Sequence, residues 1–399
     1  MKINIFIIIL EFSGVKTYID ELVSYLQNKN NLIIYEIFLN AEYKEFKIFH
    51  QEKLNKIYIP ENKDTFLNSK YNFRAAQLIK INLPKLENVI VHANAPAHHA
   101  FAQHLKKIYH CPILYTWHFL LDFYSYNIKY PRKNISELIE RFDKCNLEII
   151  NSSDYIICVT NFSRKVLIKH FNFSSDKISV IYNYKKICIK DNSNINDLKL
   201  KYGFKAEDRI ILFVGRLDER KGVDNLINIF DILKDKFDSI KLVIAGSGDF
   251  DKYLSTTQKT YGKTHFVGNL PKEILYDFYR FCEIGVIPSR YEQCSYVAIE
   301  MINFCLPIVV SNVPGLNELF SHNKTALLCK MKKSPLISNC LELEENDLID
   351  KISSLLNNKV LAYKIANNAK ISLEKYAKMG EETYAVYKSL ITTKDFIKK

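Results

Sequence analysis

The stretch FVGRLDERKG, residues 213–222, decides the fold, because it joins an apolar segment to a helical one through a basic loop that ends in glycine. Residues 209–214 have the continuous apolar pattern of a strand buried on both faces, and residues 223–236 have the period of an amphipathic helix. The loop can present backbone amides, the Arg216 guanidinium and the Lys221 ammonium to a diphosphate. A solvated basic turn would have the same composition.

Apolar runs alternate with helical periods on both sides of this stretch, which is typical of doubly wound α/β sheets. In the second half we predict strands at 209–214, 241–245, 265–267, 284–287 and 308–311, and helices at 223–236, 251–261, 272–281 and 296–304. In the first half we predict strands at 3–10, 32–39, 88–92, 113–116 and 155–159, and a helix at 17–27.

A polar stretch with little periodicity, residues 182–208, is predicted to connect two domains. The predicted organisation is an N-terminal Rossmann-like domain at 1–182 and a C-terminal Rossmann-like domain at 183–375. A helical pattern over 360–391 is expected to pack back across both domains, with the C-terminal helical segment 376–399 packing toward the first domain. A length of 399 residues fits two domains with separate cores.

Composition and charge limit the class of protein. A hydrophobic content of 48% with 25% charged residues is that of a globular protein. The net charge of +12 is spread over both halves, which gives no basic tail for nucleic acid and favours anionic partners such as phosphorylated substrates or an acidic membrane face. A basic surface that only meets solvent explains the charge equally well.

The nine cysteines include no Cys-x-x-Cys pair, so neither a zinc ribbon nor a redox motif is indicated, and a reducing, cytoplasmic location is expected. Residues 3–10 resemble a short signal peptide, but Asn4 interrupts the run and Glu11 follows without a cleavage site. We therefore interpret them as a first buried strand, and no other stretch approaches the length of a membrane span.

A second motif, PSRYEQCSYVAIE at residues 288–300, follows the predicted strand 284–287 directly. Glu292 is predicted to lie in the loop and Glu300 inside the next helix, so that both carboxylates can serve a hydroxyl-rich ligand at the carboxyl end of the strand. A buried Glu300 needs a partner, which favours a ligand role. Solvated surface carboxylates are the alternative.

A third element, AGSG at residues 245–248, allows a close backbone approach after a strand. Asp249 and Asp251 follow it, and an Asp-x-Asp pair can hold a metal on a diphosphate. Because both aspartates lie where a helix begins, we predict that one of them caps it.

In order and spacing, these elements resemble the nucleotide-sugar half of the family 4 glycosyltransferases, which have the GT-B fold. The resemblance is close over residues 209–320 and rests on Gly215-Arg216-Leu217, Lys221-Gly222, Ala245 to Gly248, Val267-Gly268, Pro288-Ser289, Glu292, Glu300 and Pro307. The first half is similar more loosely, through Phe12-Ser13-Gly14-Val15, Thr116-Trp117-His118 and Val159 to Ser163.

The resemblance implies an α/β GT-B enzyme with two Rossmann-like domains facing across a cleft. It implies that Arg216 and Lys221 hold the donor diphosphate, that Glu300 binds the ribose and that Glu292 contacts the sugar. His118 is expected to reach over the donor sugar. The remaining donor-binding residues that it implies are Gly14, Gly215, Gly246, Gly268, Gln293, Cys294 and Ser295.

Members of this family retain the anomeric configuration and work without an Asp-bound metal, so no cofactor and no metal are expected. The expected donor is a nucleotide-diphosphate hexose, and the acceptor is a saccharide, lipid-linked or peptide group bound around residues 94–104 and 117–133. The expected setting is bacterial surface glycan biosynthesis in the cytoplasm, with peripheral contact to the inner membrane face allowed.

The sequence departs from the family at two loops. The first loop has Ser13-Gly14 where two glycines are common, and Gln293-Cys294-Ser295 stand where a glycine is common, which leaves the donor sugar open. The Glu-Gln-Cys-Ser-Tyr form is interpreted as a bacterial variant.

A nucleotide-sugar epimerase and a non-catalytic GT-B partner subunit remain alternatives, whereas a nicotinamide oxidoreductase is disfavoured because no Gly-x-Gly-x-x-Gly follows the first strand.

Overall fold

The computed structural model describes residues 2–9, 13–60, 69–118, 135–189, 193–333 and 341–392. These residues form two compact units. The described residues of the first unit lie within Met1–Asp122, Ser136–Tyr184 and Tyr376–Lys399, and the second unit is built mainly from Lys185–Lys375. None of the helices in the described ranges is long and apolar enough to cross a lipid bilayer.

The first unit is built on an eight-stranded sheet with the order β3-β4-β2-β1-β5-β6-β7-β8. Only the edge strand β3 runs antiparallel, against β4. The strands are β1 Ile3–Ile8, β2 Leu32–Ala41, β3 Lys47–Phe49, β4 Leu54–Pro60, β5 Val89–Ala93, β6 Ile113–Trp117, β7 Tyr155–Cys158 and β8 Ile178–Val180. The helices between them are α1 Ser13–Leu26, α2 Ser69–Asn82, α3 His99–Tyr109, α4 Ile135–Ser152 and α5 Asn161–Lys169.

The second unit has a six-stranded sheet, all parallel, with the order β11-β10-β9-β12-β13-β14 and a separate antiparallel pair, β15 and β16. Its strands are β9 Arg209–Val214, β10 Ile240–Ala245, β11 Thr264–Gly268, β12 Ile284–Ile287, β13 Ile308–Ser311, β14 Leu327–Cys329, β15 Met331–Lys333 and β16 Leu341–Leu343. Its helices are α6 Ile195–Lys201, α7 Val223–Lys236, α8 Phe250–Ser255, α9 Lys272–Phe281, α10 Tyr296–Asn303, α11 Leu316–Leu319, α12 Glu345–Asn357 and α13 Lys359–Leu373.

The core of the second unit follows from the sequence pattern. The strands β9, β10 and β12 are apolar without alternation because helices cover both faces of the sheet. The side chains of α7 that face the sheet, among them Leu226, Phe230 and Leu233, are buried against β9 and β10. The apolar face that the amphipathic period predicts is therefore the face of α7 that packs on the sheet.

The last helix, α14 Met379–Thr392, belongs to the first unit although it follows the second in sequence. It packs on α1 so closely that a Cβ atom at Gly380 would lie 2.4 Å from the Tyr25 ring. Tyr387 on the same helix places its hydroxyl 2.6 Å from His92 Nδ1 on β5. The core of the first unit thus includes a helix that follows the second unit in the sequence.

Both predicted parallel sheets are confirmed, and the predicted strands of the second half agree with the observed ones within two residues. Four predicted segments differ. The helix predicted at 17–27 begins four residues earlier, at Ser13. The helix predicted at 251–261 stops at Ser255 and is followed by a 3-10 turn, the connection at 182–208 contains α6, and the helical pattern at 360–391 is divided into α13 and α14 by a 3-10 turn at Glu374–Tyr376.

Candidate active site

The strand order of the second unit fixes where a ligand can bind. From β9 the chain continues to one side, toward β10, whereas β12 leads to the other side, toward β13. The loops after β9 and β12 therefore diverge, and this switch point is where open parallel sheets bind ligands. The loop after β9 carries Arg216 and Lys221, and the loop after β12 carries Glu292.

Lys221 and Glu292 meet at this switch point. The Lys221 Nζ atom lies 2.6 Å from Glu292 Oε2, and the Ser289 hydroxyl donates to the same oxygen at 3.1 Å. The two charged side chains are 23% and 13% exposed, so the pair is largely shielded but open to solvent on one side. The structure thus brings together the cation predicted for the diphosphate and the carboxylate predicted for the sugar.

Arg216 is the most exposed of the four charged residues predicted for the site. Its side chain is 57% exposed, and Nη2 lies 3.4 Å from Asp218 Oδ2. Asp218 also pairs with Arg220 at 3.0 Å, so its charge is shared between two guanidinium groups. A pair this exposed contributes little stability, which leaves the Arg216 guanidinium able to turn toward an anion.

Three glycines predicted for the donor site lie at neighbouring strand ends. Gly215 donates its N–H to Ala245 at 3.0 Å, and Gly246 donates to the carbonyl of Gly268 at 2.7 Å. A Cβ atom on Gly246, whose φ is +145°, would lie 1.8 Å from the Gly215 carbonyl oxygen. Only glycine allows the loops after β9 and β10 to touch here, so Gly246 has at least this structural role.

Glu300 lies on α10 and is buried, as the sequence predicts, but its partners are supplied by the protein. Lys185 Nζ lies 2.9 Å from Oε1, and the Tyr279 hydroxyl donates to Oε2 at 3.2 Å. The Glu300 side chain keeps 10% exposure. Burial of Glu300 therefore does not by itself favour a ligand, because Lys185, a residue of the predicted connection, supplies the countercharge, and the contact of Glu300 with a ribose stays a prediction.

The three residues after Glu292 hold the loop in shape. The Ser295 hydroxyl accepts a hydrogen bond from Ala298 N at 3.3 Å and caps α10, and Gln293 donates to the Tyr291 hydroxyl at 2.6 Å. Cys294 is buried. Their predicted contact with the donor stays a prediction, and each side chain already belongs to the packing of its own loop.

The sequence analysis missed Gly315, which packs against this loop. Its φ is +87°, and a Cβ atom there would lie 1.8 Å from the Gln293 carbonyl oxygen. The Pro314-Gly315 pair is a turn signal that could have drawn attention to it.

Arg290 was also missed. It ties the loop after β12 to the start of α7, with Nη2 2.6 Å from Asp224 Oδ2 and 2.8 Å from Asn225 Oδ1. Its backbone N–H donates to the Arg220 carbonyl at 2.8 Å, which joins the two loops that carry Lys221 and Glu292. No local signal marks Arg290, because its partners lie far away in the chain.

Asp249 occupies the N-cap position of α8, as predicted, but its side chain makes no capping hydrogen bond. Asp251 lies in the first turn of the same helix. Within the described ranges, no group of three or more His, Cys, Asp or Glu side chains is arranged to hold a metal ion.

His118 follows β6 in the first unit and is buried, with its ring 4.6 Å from the Tyr18 ring. Burial lowers the pKa of His118 to about 3, so the imidazole is neutral near neutral pH. Next to it, His92 bonds to the Tyr387 hydroxyl and, at 2.6 Å, to Thr116 Oγ1, and burial lowers its pKa to about 3 as well. His92 is therefore structural.

Gly14 is not part of a turn. It is the second residue of α1, which begins at Ser13, and it is exposed.

Among the residues predicted to receive the acceptor, Trp117 is 1% exposed and belongs to the core of the first unit. Residues 119–133 of that region, and Phe12 of the first loop, lie outside the described residues.

Two family models match the chain, one to each unit. The model described as Glycosyltransferase Family 4 matches residues 12–184, and the one described as Glycosyl transferases group 1 matches residues 194–372. An uncharacterized glycosyltransferase of Methanocaldococcus jannaschii is 31% identical over 244 residues, which is 58% of this chain and 59% of that protein. The chain spans about half to two thirds of the length of the curated relatives it matches.

Solved structures with the same fold match almost the whole chain. Sucrose-phosphate synthase from Thermosynechococcus elongatus aligns with a TM-score of 0.77 at 18% identity, over 98% of this chain and 99% of that chain. Anabaena HepE, solved in complex with UDP and glucose, aligns with a TM-score of 0.74 at 16% identity, over 97% of this chain and all of that chain. Since the two family matches cover one α/β unit each and these neighbours contain both, the chain has the GT-B fold, and its two units match the glycosyltransferase family models described as Family 4 and group 1.

Proposed function

We propose that the protein is a retaining glycosyltransferase that moves a hexose-type sugar from a nucleotide-diphosphate sugar to an acceptor hydroxyl. The observation that carries this proposal is the 2.6 Å contact between Lys221 and Glu292 at the switch point between β9 and β12. A cation for a diphosphate and an acceptor of sugar hydroxyl bonds stand side by side there, at the edge where parallel sheets bind nucleotides.

The donor is assigned from the same site. Lys221 and Arg216 would bind the diphosphate, Glu292 would accept hydrogen bonds from the sugar, and Glu300 would accept them from the ribose. A nucleotide sugar as donor is supported by Anabaena HepE, a structural neighbour solved in complex with UDP and glucose.

In the proposed reaction the acceptor oxygen bonds to the anomeric carbon on the face from which the diphosphate leaves. The bond between that carbon and the phosphate oxygen breaks, and the acceptor proton passes to the departing diphosphate. Lys221 and Arg216 stabilise the negative charge that develops on the leaving group, and electrostatic stabilisation of this kind is usually the largest single contribution to catalysis. No carboxylate is assigned as a nucleophile, and no metal is assigned.

The acceptor is proposed to be a saccharide, lipid-linked or peptide group, in bacterial surface glycan or glycoconjugate biosynthesis. A cytoplasmic location is proposed with it, and the net charge of +12 supports contact with anionic partners, including an acidic membrane face.

Calorimetry with UDP, GDP and ADP tests the donor assignment. We expect one of them to bind the wild type, and Glu300→Ala to weaken its binding by a factor of about ten or more, because hydrogen bonds to a charged group are lost. Glu273→Ala, which removes an exposed carboxylate from the first turn of α9, is the matched control and should bind normally. Unchanged nucleotide binding by Glu300→Ala would exclude it as the ribose ligand.

Product analysis tests the reaction. Nucleotide sugars that stabilise the protein against heat are incubated with saccharide, lipid-linked and peptide acceptors, and NMR reports the anomeric configuration of the product. A product with the configuration of the donor is expected, and an inverted product would contradict the retaining mechanism. Nucleotide binding without turnover on any acceptor would favour the non-catalytic partner.

A further inference from the structure

Lys185, which lies outside the site motifs, forms a buried ion pair with Glu300. Its Nζ atom lies 2.9 Å from Glu300 Oε1, and the side chains of the two residues are only 7% and 10% exposed. The Tyr279 hydroxyl, which is buried on α9, donates to the other carboxylate oxygen at 3.2 Å. Glu300 is therefore held by one donor on each of its two oxygens.

The backbone around Lys185 is fastened to the same helix. Asn303, one turn after Glu300 on α10, donates from Nδ2 to the Lys185 carbonyl at 2.9 Å. The backbone N–H of Ile187 donates to Asn303 Oδ1 at 3.1 Å. The segment that opens the second unit is thus fixed to α10 through its backbone as well as through the Lys185 ammonium.

The two groups that hold the carboxylate are a protonated amine and a neutral phenol. Burial by itself would lower the pKa of Lys185, but the Glu300 charge and the hydrogen bonds to Glu300 and Tyr276 raise it above its ordinary value. Burial, and then the Glu300 charge, raise the pKa of Tyr279, so its hydroxyl remains a donor. Within the described part of the chain, the titratable groups that bond to Glu300 are Lys185 and Tyr279, and the Lys185 ammonium lies 5.8 Å from the centre of the Tyr276 ring.

Two hydrogen-bond donors do not fill the accepting capacity of a carboxylate, which has about four lone-pair positions. A ribose carries two neighbouring hydroxyls, and each can donate to one of the oxygens that Lys185 and Tyr279 hold in place. The side chain keeps its 10% exposure, so one part of it can be reached by a ligand. The ion pair and a ribose contact are consequently compatible.

We infer that Lys185 is a positioning residue for the nucleotide: its ammonium holds the Glu300 carboxylate in the orientation in which the remaining lone pairs receive the ribose hydroxyls. This inference rests on the proposed function, in which Glu300 binds the ribose. Lys185, in the segment before α6, thereby contributes to the preference for ribonucleotides over deoxyribonucleotides.

The test compares the nucleoside diphosphate that binds most tightly among UDP, GDP and ADP with its 2′-deoxy form. The ratio of the two dissociation constants measures the ribose contact alone, because base and diphosphate are the same in both. In the wild type we expect the deoxy form to bind about tenfold more weakly, the effect of one lost hydrogen bond to a charged group.

In Lys185→Ala we expect this ratio to fall to about twofold or less, and in Lys185→Arg we expect it to recover most of its value. Lys186→Ala is the matched control, since it removes the same charge from the adjacent, exposed residue. It should leave the ratio unchanged. If Lys185→Ala does not fold, Lys185→Gln, which keeps a neutral donor, is measured in the same way.

The pH dependence gives a second readout. Burial without an opposite charge favours the protonated form of a carboxyl group, so the ratio in Lys185→Ala should decrease further from about pH 8 to about pH 6. Protonation of the diphosphate affects both nucleotides and cancels in the ratio.

The outcomes separate this inference from the function on which it rests. If the wild type binds no nucleoside diphosphate, the proposed function fails. If the wild type discriminates against the deoxy form and Lys185→Ala discriminates equally at every pH, the role of Lys185 is overturned while the function stands.

Discussion

At the residue scale, Lys221 is the side chain whose loss has the most direct chemical consequence. It is the partly shielded cation at the switch point, and its partner Glu292 is also held by Ser289. In the proposed reaction it stabilises charge that appears only as the diphosphate leaves. A contact of this kind acts on turnover more than on binding of the ground state.

We expect Lys221→Ala to lower turnover by a factor of about 100 or more, which is typical for the loss of one charge contact in a transition state. Lys252→Ala is the control, because Lys252 makes an ion pair of the same length, 2.6 Å, with Glu219 and is 46% exposed. Steady-state kinetics measures the turnover rates of both variants and of the wild type. Activity of Lys221→Ala within about twofold of the wild type would contradict the assigned role.

At the element scale, the loops after β9 and β10 depend on one close contact. Gly246 and Gly262 both have positive φ values, +145° and +80°, but only Gly246 has a neighbouring backbone oxygen within 2 Å of the place where a Cβ would lie. At Gly262, nothing lies within 4 Å. The two positions therefore separate the effect of backbone strain from the effect of steric contact.

Gly246→Ala should lower the free energy of unfolding by at least about 2 kcal/mol more than Gly262→Ala, because the added methyl group must move the backbone of Gly215. Gly262→Ala should cost about 1 kcal/mol from its φ alone. Denaturation in urea, followed by fluorescence, measures both. Equal effects of the two substitutions would show that the loops can separate without penalty.

At the scale of the whole molecule, α14 joins a segment that follows the second unit in sequence to the core of the first unit. Its Tyr387 hydroxyl and Thr116 Oγ1 bond the two nitrogens of the His92 ring, each at 2.6 Å. Tyr387→Phe removes one of these bonds and leaves a buried ring nitrogen without its partner. We expect the free energy of unfolding to fall by about 1–3 kcal/mol.

Tyr384→Phe is the control on the same helix. Its hydroxyl donates to Asn31 at 2.7 Å, but the residue is only partly buried, so water can replace the bond. Hydrogen exchange should show that Tyr387→Phe weakens protection in α14 and β5 together. A variant as stable as the wild type would show that the bond between α14 and β5 contributes nothing.

The buried histidines of the first unit predict how stability depends on pH. Burial lowers the pKa values of His92, His98 and His118 to about 3. Because an unfolded histidine titrates near pH 6.5, the unfolded chain binds more protons below that pH, so stability is fully present above about pH 6.5 and is lost as pH falls toward about 3. From pH 7 to pH 5 each of them should lower the free energy of unfolding by about 2 kcal/mol.

Denaturation curves at several pH values measure this slope. His98→Gln should reduce it, because one of the three buried rings is removed. His110→Asn should leave it unchanged, since His110 is exposed and asparagine tolerates its φ of 48°. Stability that is constant between about pH 7 and about pH 5 would contradict the burial of these rings as neutral groups.

Sequence patterns determined the two parallel sheets and the position of the site in the second unit. Strands buried on both faces are continuous apolar runs, and the loops that follow them on one edge carry the glycines and charges, so local reading was sufficient to place Arg216, Lys221 and Glu292. Short strands such as β3 and β8 were not predicted, because a three-residue strand has no period to detect.

Only the tertiary structure decided which groups are partners. Lys185 meets Glu300 across 115 positions of the chain, Arg290 meets Asp224 across 66, and Tyr387 meets His92 across 295. A local pattern reports which face of an element is buried, whereas the identity of the group on the opposite element depends on how distant segments pack. For this reason the sequence predicted that Glu300 is buried but could not show that Lys185 neutralises it.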